Sequence, residues 1–202
     1  MITYEDLLAD SNKATELLNS NDSYHFTYIE FLKFFDSKAY LTKSDIFIGA
    51  NFTYAWMPTI NKTACEVSDD IEISINRMRG SEEADELSIE EVLVLSKVTN
   101  NSLVGVSKLL HFIAPNKYAI WDSRVARYLL SNENKEPSQY YLNNPKNFTN
   151  YMNLLCKLAQ DDMQNDDYLK KLVSSILNYE VTTYRAIELI MFSLGKKGLA
   201  NK

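Results

Sequence analysis

The chain has 202 residues, 46% hydrophobic and 24% charged, with a formal net charge of −6; this balance fits a globular chain with room for one large domain or two small ones and excludes a fibrous or low-complexity protein. Five Gly and four Pro are few for this length, which argues against a turn-rich β architecture. No apolar run approaches the roughly 20 residues of a membrane span, the N-terminus lacks a signal-peptide pattern, and Cys65 and Cys156 form no C-x-x-C pair, so a reduced, cytoplasmic setting is expected.

In chain order, nearly every segment has a helical period. "TYEDLLADSNKATELLNS" sets Leu7, Leu8, Ala14, Leu17 and Leu18 on one stripe behind Thr3 as N-cap. An aromatic helix follows, with Phe31, Phe34 and Phe35 at core spacing, then "IFIGANFTYAWMPTI", which Pro58 ends. Trp56 and Tyr54 in that segment suit either core or a pocket wall. Residues 63–79 read as a helix in which "IEISI" alternates and also allows a short strand. The acidic 79–86 run is either a hinge between two lobes (1–86 and 87–202) around a cleft or an exposed loop of one helical domain. Ser88 and Glu91 form a capping box for the next helix. Helices are predicted over 102–113 and 123–130, with Pro115 breaking the first and Asp122 opening the second. Three more helices follow. A loop is predicted at 161–167, and Gly195 serves as the last helix's C-cap. Arg185 and Glu188 on that last helix form either an exposed pair or one that steadies a cleft. The fold class expected is all-α.

Charge is polarised along the chain. Residues 69–91 hold nine acids against Arg77 and Arg79, whereas 97–127 holds Lys97, Lys108, Lys117, Arg124 and Arg127 against Asp122 alone. Phosphate needs such a positive window, and the acidic 69–91 segment suits a basic protein partner. Lys108 and Asp122 lie on consecutive helices. If the second packs back across the first, an amine and a carboxylate face one cleft, the arrangement that Schiff-base or acid–base chemistry requires. Asp122 also suits a plain N-cap, Lys108 a solvent face, His111 a packing role, and Trp121 either core or a base-stacking platform. The two histidines are far apart and near no acid cluster with ligand spacing, so no metal is expected. No Walker loop or dinucleotide fingerprint occurs, so no cofactor is expected either.

The window "LVGVSKLLHFIAPNKYAIWDSRVARYLL" resembles the core of the helix-hairpin-helix (HhH-GPD) DNA glycosylase superfamily. That family reads L-P-G-V-G-x-K, an apolar helix, then P-V-D-T-H-V. Here "LVGVSKLL" stands at the hairpin and "AIWDSRV" at the aspartate segment, with Val104 in place of the proline and Ser107 in place of the second glycine. The resemblance implies a multi-helix orthogonal bundle that excises a damaged or modified base from DNA. It implies Lys108 as the nucleophile toward the sugar C1′ and Asp122 as the carboxylate supporting glycosidic cleavage. It further implies Gly105, Val106 and Ser107 as the hairpin holding a phosphate. Lys117, Arg124 and Arg127 are then expected on the DNA backbone and Trp121 beside the flipped base. The alternative is the same core without its chemistry, a nucleic-acid- or protein-binding module. Such a module suits a phage- or defence-related role; the Asn- and Lys-rich bias suits an AT-rich genome, that of a phage or a low-GC bacterium, and says nothing of mechanism.

Overall fold

The computed structural model describes residues 2–19, 23–56, 60–62, 66–80, 88–133 and 135–196. Among them the regular structure is entirely helical: α1 (Tyr4–Thr15), α2 (Ser23–Asp36), α3 (Lys43–Trp56), α4 (Asp69–Gly80), α5 (Ile89–Ser96), α6 (Leu103–Ile113), α7 (Ser123–Leu129), α8 (Gln139–Leu142), α9 (Pro145–Gln164), α10 (Tyr168–Leu177) and α11 (Thr183–Leu194), with one 3-10 turn at Ser131–Glu133. None of these helices is long and apolar enough to cross a membrane. Cys65, Pro58 and most of the 79–86 boundary lie outside the described residues.

Helix starts follow the capping residues in the sequence. Thr3 accepts the amide of Asp6, whose carboxylate accepts the Thr3 amide in return, and Ser88 and Glu91 make the same reciprocal pair. Ser102, Asp122, Ser138, Asn144 and Thr182 each accept an amide of the first turn of α6, α7, α8, α9 and α11. The two helices predicted over 102–113 and 123–130 are therefore present almost residue for residue.

Of the two readings of "IEISI", helix and short strand, the helix is the one present, as part of α4. Ile71, Ile75 and Met78 are buried at i, i+4 and i+7, while Ile73, the middle member of the apparent alternation, is 62% exposed. The loop expected at 161–167 begins only at Asn165, because α9 runs on to Gln164. Acids in the last turn oppose the helix dipole, but Asp162 is bonded on both sides. It accepts the Tyr4 hydroxyl at 2.7 Å and the amides of Leu169 and Lys170 at 2.8 and 3.2 Å, which ties α1, α9 and α10 together. Asp167, at φ 54°, makes no side-chain cap of its own, so Asp162 serves α10 from the preceding helix.

Two apolar helices form the centre. α6 is buried around its circumference, from Gly105 to Ile113 without a break, and packs on α2, α3 and α5. α11 is buried from Thr183 to Met191 and packs on α1, α7, α9 and α10. Two glycines permit close approaches to α6 and α11. A Cβ on Gly105 would lie 2.8 Å from Thr99 Cβ and 3.0 Å from the Tyr54 hydroxyl. One on Gly195, the C-cap of α11, would lie 1.9 Å from the backbone oxygen of Arg124 on α7. Gly195 has φ −77°, so close approach, and not a left-handed turn, is what requires it.

Candidate functional site

Between α6 and α7 the chain runs extended past α6, and four hydrogen-bonding groups hold it there. His111 Nδ1 lies 2.6 Å from the Tyr118 carbonyl, the Tyr151 hydroxyl donates to the Ile120 carbonyl at 2.9 Å, and the Trp121 indole donates to the Leu142 carbonyl at 3.0 Å. The fourth is Ser107, whose hydroxyl accepts the Trp121 amide at 2.9 Å and donates back to α6 and to the Trp121 carbonyl. Ser107 precedes Lys108 and Trp121 precedes Asp122. One side-chain clamp thus sets the register in which Lys108 and Asp122 both border one cleft.

Both residues border a cleft of about 580 Å³, whose walls come from the end of α1 and from α2, α3, α6, α7 and α11. That volume is in the range of a nucleoside-sized ligand. Lys108 is only 8% exposed, and its amine lies 5.4 Å from the centroid of the Trp56 ring. Burial pulls its pKa below the ordinary amine range, against the opposing pull of Asp122 and Glu188. Asp122 does cap α7, with Oδ1 accepting the amides of Arg124 and Val125 at 2.8 and 3.1 Å, and the same residue lines the cleft. Capping and chemistry were rival roles in the sequence, and the geometry accommodates both.

The deepest polar group is one the sequence left open. Arg185 and Glu188, on α11, are 4% and 1% exposed and form a buried ion pair bordering the cleft. Burial pushes the Glu188 carboxyl up to about 7, against the pull of Arg185. The guanidinium lies 4.8 Å from the centroid of Tyr28 and 5.7 Å from that of Trp56. Tyr28 is itself fixed by His111. A carbonyl can only accept, so His111 Nδ1 carries the proton toward Tyr118 and Nε2 accepts the Tyr28 hydroxyl at 2.9 Å. Complete burial pulls the imidazole down to about 3, so it stays neutral, in keeping with the packing role expected of His111. Tyr24, His25, Phe192 and Lys196 complete the lining without any sequence signal that singled them out.

Of the DNA contacts expected, Arg124 alone borders the cleft, its guanidinium 4.4 Å from the Phe192 centroid. The others are corrected. Gly105, Val106 and Ser107 form no hairpin; they are buried turns of α6, and the Gly105 and Val106 amides are bonded to Ser102. Trp121 is fully buried against Tyr151 and Tyr141 and belongs to the core. Lys117 donates to the carbonyls of Met78 and Arg79, capping α4. Arg127 holds Glu136 through Nε and the Gly195 carbonyl through Nη1. Among the described residues no group of three or more His, Cys, Asp or Glu could hold a metal.

No family model matches the chain, and no curated protein or solved structure matches it significantly.

Proposed function

We propose that the protein cleaves the N-glycosidic bond of a base flipped out of DNA, in the manner of the HhH-GPD glycosylases its 104–130 window resembles. The observation that carries this reading is the convergence of Lys108 and Asp122 from consecutive helices on one aromatic-walled cleft. The cleft is lined by Lys108, Arg124, Arg185 and Lys196 against Asp122 and Glu188, a positive site on an acidic protein. In the reaction the neutral Lys108 amine attacks C1′ as the C1′–N bond breaks. The departing base leaves with the bonding electrons and gains the proton the amine gives up. Asp122 stabilises the positive charge that develops on the sugar. Opening of the sugar ring then leaves an imine between Lys108 and C1′. Arg124 and Lys196 at the rim take the backbone role that Lys117 and Arg127 cannot, and the setting is cytoplasmic.

The test is trapping. The protein is incubated with duplexes bearing an abasic site or a base lesion, and borohydride is added. A covalent protein–DNA band is expected, and Lys108→Gln should abolish it. Base release without a band would make the enzyme monofunctional, with an Asp122-activated water replacing the amine. A second reading, a binding module without chemistry, is favoured by the burial of the 105–107 segment and the structural use of Lys117 and Arg127. Under that reading neither base nor adduct forms, and binding of a basic partner at the acidic 69–91 segment becomes the activity to seek.

A further inference from the structure

The floor of the cleft holds a donor without an acceptor. Arg185 Nε is buried and meets no hydrogen-bond partner among the described residues, whereas Nη1 of the same guanidinium is bonded to Glu188. A buried donor left unsatisfied is costly, and a native site that keeps one usually fills it with water or ligand. Arg185 borders the cleft, so a ligand atom seated at the floor can supply the acceptor.

The neighbours decide which acceptor fits. The floor pair Arg185–Glu188 is neutral as a unit, and Asp122 lies close enough to raise the Glu188 carboxyl further. A second full anion at Arg185 Nε would be repelled by both carboxylates. A neutral carbonyl oxygen meets no such repulsion, and it projects beyond the ring edge toward a recessed donor, which the ring nitrogens of a base such as adenine do not. The surroundings are aromatic, with Tyr28 and Trp56 beside the guanidinium, which suits a planar ring.

We infer that the cleft floor reads a ring carbonyl of a planar base through Arg185 Nε, so that the site takes oxo-bases and discriminates against bases without a carbonyl. Glu188 orients the guanidinium, His111 fixes Tyr28 beneath it, and Trp56 closes the side. This deepens the glycosidic reading and rests on it only for the identity of the ligand as a base.

The discriminating pair is hypoxanthine and adenine, which differ at the oxygen or amino group on C6. Calorimetric titration of the full chain with each free base should favour hypoxanthine by about tenfold, the usual effect of leaving a buried donor unpaired. Arg185→Lys keeps the charge beside Glu188 but loses Nε and should erase the preference. If that variant does not fold, the double variant Arg185→Gln with Glu188→Gln removes the pair as a unit and should erase it equally. Equal or tighter adenine binding by the wild-type protein overturns the inference. So does binding of inorganic phosphate that strengthens as pH falls through 7 and is lost in Arg185→Lys, since Nε would then serve an anion when Glu188 is protonated. A parallel arm measures base release from duplexes carrying hypoxanthine or 3-methyladenine, which lacks a carbonyl. Release of both at equal rates sinks carbonyl reading and leaves glycosidic cleavage standing. Preferential binding of free hypoxanthine with no release from any duplex supports carbonyl reading and removes the cleavage.

Discussion

Lys108 is the residue where stability and function pull apart. A buried amine on an apolar helix costs the fold desolvation energy, only partly offset by Asp122 and Glu188. Lys108→Met is therefore expected to leave the denaturant midpoint unchanged or raise it, while abolishing adduct formation; chemical denaturation and borohydride trapping on one preparation check both. A large loss of stability would instead show the ammonium to be a structural element. Asp122 separates the other way. Asn can cap α7 as Asp does, whereas Ala cannot, so Asp122→Ala should cost about 1 kcal/mol relative to Asp122→Asn in thermal denaturation. Lys108 stands out in the sequence as a cation on an apolar stripe, whereas Asp122 at a helix start fits the ordinary capping pattern and is singled out only by the resemblance. Trp121, Lys117 and Arg127 misled because their residue types carry no mark of direction. Trp121 turns to the Leu142 carbonyl, and the two cations turn to distant carbonyls, at α4 and at the end of α11, and to the nearby Glu136.

Among elements, the α7–α11 contact brings Asp122 and Arg124 to the same cleft as Arg185 and Glu188. Gly195 sets its spacing, because any side chain there meets the rigid Arg124 backbone and not a flexible tip. Gly195→Ala should destabilise by about 1–3 kcal/mol and weaken activity together, since α7 must move; urea denaturation and base-release rates test this. The α1–α9–α10 junction rests in the same way on one carboxylate. Asp162→Ala strands the Tyr4 hydroxyl and the Leu169 and Lys170 amides, with an expected loss of about 3 kcal/mol. Helix existence and most starts were legible from period and caps. The "IEISI" segment was not, because three isoleucines two apart satisfy a strand template as well as a helix. Only the position of Met78 and the packing of α4 against α3 and α5 decide between them. The run 161–164 reads as a loop because acids at a helix end signal one, whereas the groups that bond Asp162 are the Tyr4 hydroxyl at the other end of the chain and the first amides of α10.

Across the whole molecule, two buried groups oppose each other in their effect on stability with pH. His111 drops from an ordinary 6.5 to about 3, so between those values the unfolded chain binds a proton the folded one refuses, and acidification destabilises. Glu188 rises from 4.5 to about 7, so in that window the folded chain holds a proton the unfolded one releases, and raising the pH destabilises. Between pH 4.5 and 6.5 the two slopes oppose. Glu188→Gln removes one of them, and the variant's stability should then climb with pH across that range by about 1 kcal/mol per pH unit, more steeply than the wild type. Parallel profiles for the two proteins would remove Glu188 from the account. The charge polarity seen along the sequence persists at this scale only in part: the positive window supplies Lys108 and Arg124 to the cleft, whereas Lys117 and Arg127 hold other elements in place.

The central claim is that Lys108 and Asp122 act together on a glycosidic bond, and quantitation of free base released from single-lesion duplexes tests it most directly. Wild-type protein should release an oxo-base such as hypoxanthine. Asp122→Asn, with thermal denaturation confirming a retained fold, should release it at least about a hundredfold more slowly, the scale of losing one charge-stabilising group in a transition state. Undiminished release by Asp122→Asn, or no release of any base by the wild-type protein, would contradict the account.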